Sequence, residues 1–252
     1  MRRLVSAAAP PILLGAALVA VWWIGALIAG SAVFPTPVEA VTSLGAELGL
    51  ERFVTSIATT LRALASAYLA AAVVGTVAGM SLGLSAFWTS AVLPVVYTVN
   101  SIPKITLYPI FLLFAGIGDL GRGTFAFVSG VLPMFLIVVE ATAAVSRVHL
   151  KLAAVLRLSL PRLLWQIVVP SVLPALATGL RLTFGLTFLG LLLAEMFSGS
   201  SGLGFEILRN VTLVRMERIV GEVILIAALA LIPTLLLQAL ERQVHRRFGG
   251  AR

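Results

Sequence analysis

The side chains in this sequence that could do chemistry at membrane depth are five ionisable residues, Lys104, Glu140, Arg181, Glu195 and Glu222, set within or at the edges of long apolar runs. A charge held there is costly, and it points to a solute or ion path, a proton relay or a buried pair. Lys104 has the strongest context. It stands between Pro103 and Pro109, four residues after Asn100, in NSIPKITLYPIFLLFAGIG. Each proline removes a backbone donor, so this run reads as a broken or kinked span beside a polar cavity. A cation beside that cavity would steer an anionic solute. Asn100 and Lys104 are therefore candidates for a translocation pathway. Arg181 and Glu195, on a later run, are candidates too, although a pair near opposite ends of one helix can equally bind its neighbours.

Other chemistries find little support. Cysteine is absent, which removes disulfides, cysteine zinc sites and thiol catalysis, and His149 and His245 are too few and too far apart for a metal centre. No GxxxxGK[ST] phosphate loop occurs, so any ATP must be bound by another chain. No His with Asp/Glu or Ser/Lys constellation marks a membrane-embedded enzyme.

The elements that must carry these residues follow from composition. With 60% apolar and 11% charged residues in a chain of 252, and a mean hydropathy of +1.10, the apolar surface exceeds what a water-soluble domain can hide. Lipid is the expected solvent. The net charge of +8 would suggest nucleic acid in a soluble protein, but the cations gather at run ends and in one loop, as membrane topology demands. Windows of roughly 20 apolar residues, enough to cross a bilayer as helix, occur six times, near 11–30, 58–84, 91–115, 124–145, 175–197 and 219–240. The first is longer than a signal-peptide core and carries Trp22 and Trp23, so it reads as an uncleaved span.

Orientation comes from the loops. The segment 147–174, RVHLKLAAVLRLSLPRLLWQIVVPSVLP, carries Arg147, Lys151, Arg157 and Arg162 with no acid to balance them. The positive-inside bias places it in the cytoplasm. Six crossings put both termini, with Arg2 and Arg3 at one and Arg242, Arg246, Arg247 and Arg252 at the other, on that same side. The segments 31–57 and 198–218 hold acids and bases in near balance and are expected outside. Within the second window Gly75, Gly79 and Gly83 recur every fourth residue, baring one helix face for close approach by a neighbouring helix of this chain or of a second copy.

The 147–174 segment has a spacing as well as a charge. Ala153 and Ala154 are followed by a turn region, then Ile167-x-Val169-Pro170 and Leu173-Pro174. This resembles the coupling-helix signature of ABC importer permeases, a Glu-Ala-Ala triplet, a Gly a few residues later, then Ile-x-Leu-Pro, with Lys151 in place of the Glu and Arg157 in place of the Gly. Three further stretches are similar to permeases of the nitrate/sulfonate/taurine type: Phe34-Pro35-x-Pro37; Pro103-Lys104 through Pro109, Phe111, Phe114 and Gly116-x-Gly118; and Gly179-Leu-Arg181 through Ala194-Glu195-Met196, closed by Ser200-Ser201-Gly202-Leu203-Gly204.

The resemblance covers most of the chain. It implies one all-α permease domain with six transmembrane helices, of the type I importer kind, in a bacterial inner membrane. A second permease subunit, two cytoplasmic ATP-binding subunits and an external solute-binding protein are the implied partners, and ATP and Mg belong to the ATP-binding subunits. The implied coupling residues are Arg147, Lys151, Ala153, Ala154, Arg157, Ile167, Pro170 and Pro174. The implied activity is uptake of a small, anionic solute. An ion-coupled carrier would instead show inverted repeats with paired broken helices and mid-span carboxylates; one broken run and no matching second half are present.

Overall fold

Regular helix is what an apolar chain adopts when no water is at hand to satisfy its backbone. The computed structural model, which describes residues 2–30, 33–145, 153 and 155–248, is helical throughout its regular elements. In chain order these are α1 (Arg2–Ala29), α2 (Pro37–Leu48), α3 (Glu51–Gly83), α4 (Ala86–Ser101), a 3-10 turn (Lys104–Leu107), α5 (Tyr108–Ala115), α6 (Asp119–Ala143), α7 (Leu160–Leu163), a π turn (Leu164–Val168), α8 (Val169–Ser198), α9 (Leu203–Thr212) and α10 (Met216–Phe248). Arg147, Lys151 and Ala154, expected in the coupling segment, lie outside the described residues.

Four helical stretches are long and apolar enough to cross a bilayer: α3, α6, the run from α7 through α8, and α10. The window 91–115 is not one rod. It is α4 and α5 bent by 86° at the Pro103 break, and counted together they make a fifth candidate. The apolar part of α1, Leu13–Ala29, is a shorter sixth helix. Several helices outrun their apolar windows. The one expected over 58–84 runs from Glu51 to Gly83, and the one containing 175–197 is preceded by the helical turns from Leu160.

α6 is the axis of the bundle, flanked by α3 on one side and α8 on the other. Bare backbone permits both crossings. A Cβ at Gly75, Gly79 or Gly83 would lie 2.7 Å from Met134 Cβ, 2.8 Å from Val138 Cβ or 2.6 Å from Thr142 Cβ, so the glycine stripe of α3 faces α6 of the same chain. On the other side Met134 and Val138 join Val168 and Val172 in a buried cluster, with Ile167 packed on its edge. A second cluster ties Leu64 and Ala67 of α3 to Ala126 of α6 and Leu191 of α8.

Candidate functional site

The α4–α5 break follows from its prolines. Pro103 caps the 3-10 turn, its carbonyl accepting from Thr106 N and Thr106 Oγ1 at 3.0 and 2.7 Å, and Pro109 sits in the first turn of α5, where its missing donor costs nothing. Lys104 emerges at the bend, half-buried. Its Nζ donates to Asn100 Oδ1 at 3.0 Å, one turn back on α4. Among the described residues no carboxylate pairs with it. Tyr108, one turn further on, anchors the broken span by packing with Phe125 and Ala194 and by donating from its hydroxyl to Ala194 O at 3.0 Å. The bend thus presents an ammonium group that no acid neutralises, held beside an amide.

The other two pathway candidates are occupied elsewhere. Arg181 donates from Nε to Glu241 Oε2 at 2.6 Å, while Thr178 Oγ1 donates to Glu241 Oε1 at 2.6 Å, which joins α8 to α10. Glu195 has no exposed surface. Its carboxylate accepts from Thr60 Oγ1 at 2.8 and 3.0 Å and from Gly204 N at 3.0 Å, and the Thr60 oxygen in turn accepts from Leu203 N at 2.8 Å. The Glu195 carboxyl group, with the Thr60 hydroxyl, therefore caps the first turn of α9 by accepting from its free amide groups.

The Ser-Ser-Gly-Leu-Gly run explains how it gets there. Gly202 has φ +104°, and a Cβ on it would lie 2.4 Å from Glu195 Cδ. Arg122, 3% exposed, fastens the same loop by donating to Ser201 O, and it pairs with Asp119. This loop clamp joins α3, α6, α8 and α9.

Around it lies a polar end of the bundle, built from α2, α9 and the N-terminal parts of α3 and α10, that single-residue reading missed. Ser56 Oγ donates to Glu206 Oε1 at 3.1 Å, and Arg52 and Arg209 pair with Glu206 Oε2 at 3.3 and 3.1 Å. Arg218 pairs with Glu47 at 3.0 Å, and Asn210 Nδ2 donates to Glu222 at 2.7 Å. The near balance of acids and bases in 31–57 and 198–218 was the signal available for these pairs.

At the opposite end, Ala153 is buried and its carbonyl accepts from Leu158 N at 3.0 Å. Arg157, between them in the chain, has φ +47°. The bond from residue i+5 to i around a left-handed residue is a helix-terminating pattern usually built on glycine. Arg157 is the residue expected from the sequence resemblance to replace the Gly of the coupling-helix signature, and its backbone adopts the left-handed conformation that favours glycine. Pro170 lies in the first turn of α8 and Pro174 inside it. Just before Pro170 the helix widens into the π turn, with Val169 N donating to Leu164 O five residues back.

Residues 71–250 match the model of the binding-protein-dependent transport system inner membrane component family. The chain is similar to the taurine transport system permease protein TauC of Escherichia coli, at 25% identity over 91% of this chain and 86% of that one. It is also similar to a putative aliphatic sulfonates transport permease protein, SsuC, of Bacillus subtilis, at 22% identity over 92% and 85%. A third relative, the nitrate import permease protein NrtB of Synechococcus elongatus, is 26% identical over 75% of this chain and 71% of its own. The chain belongs to the binding-protein-dependent transport system inner membrane components, the permease subunits of ABC importers.

Proposed function

We propose that this permease forms the membrane path for a small anionic solute, a sulfonate, taurine, nitrate or a compound of similar size and charge, and that Lys104 with Asn100 contacts the solute at the broken span. The observation that carries the reading is the ammonium group at an 86° bend with an amide and, among the described residues, no carboxylate as its partner. A half-buried cation with no acid beside it favours an anion passing near it. The names of three relatives, taurine, aliphatic sulfonates and nitrate, fall in one chemical class of small oxyanion-bearing solutes.

In this reading two permease subunits assemble with two cytoplasmic ATP-binding subunits and an external solute-binding protein, all six spans are crossed, and the termini and the 147–174 segment face the cytoplasm. The polar end with α2 and α9 then faces outward. Val155, Leu156, Leu160 and Trp165 are exposed apolar side chains interspersed with Arg157 and Arg162, a surface suited to an apolar groove with an acidic rim on the ATP-binding subunit.

The test is uptake by proteoliposomes containing the permease with its ATP-binding subunits and the solute-binding protein. Radiolabelled taurine, an alkanesulfonate or nitrate should enter only with internal or external ATP supplied on the side of the ATP-binding subunits. Uptake by the permease alone, driven by an ion gradient, would replace the importer reading with an ion-coupled carrier. ATP-driven uptake only of solutes that carry no sulfonate, nitrate or similar oxyanion group would remove the oxyanion assignment while keeping the importer.

A further inference from the structure

Two carboxylates at the polar end face one another with too few donors. Glu47, on α2, is 2% exposed, and Glu222, on α10, has no exposed surface. One oxygen of each is satisfied. Arg218 donates to Glu47 Oε1 at 3.0 Å, and Asn210 Nδ2 donates to Glu222 Oε1 at 2.7 Å. The remaining oxygen of each, Glu47 Oε2 and Glu222 Oε2, finds no protein donor, and the two carboxyl groups meet on one seam, since Arg218, which holds Glu47, lies one turn before Glu222 on α10. Two bare carboxylates cannot bond to one another, and burying both without a donor is expensive.

The surrounding charges do not resolve this. From α9, Glu206 lies one turn before Asn210, but its own partners are Arg209 and, from α3, Arg52; Glu39 of α2 and Glu217 of α10 line the same cleft as Glu47 and add only negative charge. From α10, Arg218 is committed to Glu47. Among the described residues no cation pairs with Glu222, and no group of acidic, histidine or cysteine side chains there could hold a metal ion. One proton satisfies both orphaned oxygens at once, with one carboxyl donating and the other accepting.

We propose that Glu47 and Glu222 hold a single proton between them, an acid–carboxylate hydrogen bond that fastens α2 to α10. The proton comes from water and adds to one carboxylate without any other change. Its place in the fold gives it leverage. Immediately beside it, Gly221 lets α2 approach so closely that a Cβ there would lie 2.8 Å from Ala40 O and 3.2 Å from Leu44 Cβ. The seam between α2 and α10 holds this close helix contact and the Glu47–Arg218 pair beside the shared proton. Removing the proton sets two carboxylates against each other at that contact and should loosen α2.

Infrared difference spectroscopy of the purified importer tests this directly. At neutral pH the wild type should show the carbonyl-stretch band of a protonated carboxylic acid, downshifted in D2O. Glu222→Gln and Glu47→Gln should each lose that band, because either amide supplies the missing donor and no proton is then needed. Glu217→Gln, at an exposed neighbour, should keep it. A spectrum with no such band in the wild type would mean that a water donates to both ionised groups, and the proposal would fail without reference to any variant. A band that survives in both Glu47→Gln and Glu222→Gln would equally overturn it.

Movement is read separately. A cysteine at Leu44, on the seam, should react with a thiol reagent several-fold faster above the pH at which the band disappears, relative to a cysteine at exposed Thr42 that corrects for thiolate formation. In Glu222→Gln the ratio of the two rates should stay constant with pH. A constant ratio in the wild type across loss of the band would show that the proton does not hold α2.

Discussion

Replacing Gly79 by alanine adds one methyl group at the α3–α6 crossing, and the geometry around it sets the cost. The new Cβ would meet Val138 Cβ at 2.8 Å, Val138 Cγ1 at 2.9 Å and Phe135 O at 3.0 Å. Carbon atoms rest about 3.5–4.0 Å apart, so the helices must separate by a large fraction of an ångström, or Val138 must leave its rotamer. Overpacking of this kind costs about 1–3 kcal/mol. Alanine also gains about 1 kcal/mol of helix propensity over glycine, which hides part of the loss. Gly185→Ala on α8 separates the two terms, because nothing lies within 4 Å of a Cβ built there. The difference between the variants is then the overpacking alone, about 1–3 kcal/mol. At roughly 2–4 °C per kcal/mol for a chain of this size, Gly79→Ala should melt roughly 2–12 °C below Gly185→Ala in detergent. The deficit should not depend on protein concentration, since the contact lies within one chain, and Gly79→Leu should deepen it. Equal melting of the two alanine variants would refute the close-packing argument. A deficit that vanished on dilution to monomer would move the glycine stripe to the contact between copies.

Lys104→Gln should slow anion uptake by an order of magnitude or more while leaving complex assembly intact, and Lys104→Arg, which keeps the charge, should be milder; equal transport by the Gln variant would reduce Lys104 to an interfacial anchor. Glu195→Ala leaves Gly204 N–H and the Thr60 hydroxyl without their acceptor and opens a cavity. It should cost about 2–4 kcal/mol, read as a lower Tm and faster labelling of a cysteine at Ser200, with Glu195→Gln intermediate. Arg157→Gly removes a left-handed backbone conformation that costs a side-chain-bearing residue roughly 1–2 kcal/mol. It should raise the melting temperature of the permease without loss of ATP-binding-subunit retention, and a lower Tm would show that the arginine makes contacts worth more than the strain. In intact cells an impermeant thiol reagent should reach cysteines at Thr42 and Ser200 and miss one at Ser159, and labelling at Ser159 would invert the topology.

The helical class was legible because sustained apolarity is a property of the local sequence. Helix length was less so. Hydropathy measures the stretch that suits lipid, whereas the hydrogen-bond ladder of α3 continues outward through Glu51, Arg52 and Thr55 into polar surroundings where nothing in the sequence interrupts it. The bend at Pro103 was visible for a local reason too, two prolines and a lysine within seven residues. The roles of the charges were not visible in the same way. Glu195 reads as a membrane-depth acid, yet its partners are a threonine 135 residues earlier and a backbone amide that reaches it only because Gly202 and Gly204 carry no side chains. Glu47 meets Arg218 across 171 residues, and Arg181 meets Glu241 across 60.

Balanced charge in two segments announced that such pairs would form but could not match them, since matching is set by helix packing. Arg157 shows the complementary limit. Read as a side chain, it is a cation substituted for a small residue and suggests a changed partner surface. Read as backbone, with φ +47° and the Ala153–Leu158 bond closed around it, it preserves the helix end that the glycine of the signature would make. The arginine therefore ends the helix as a glycine would, and what it adds is charge and strain at that turn.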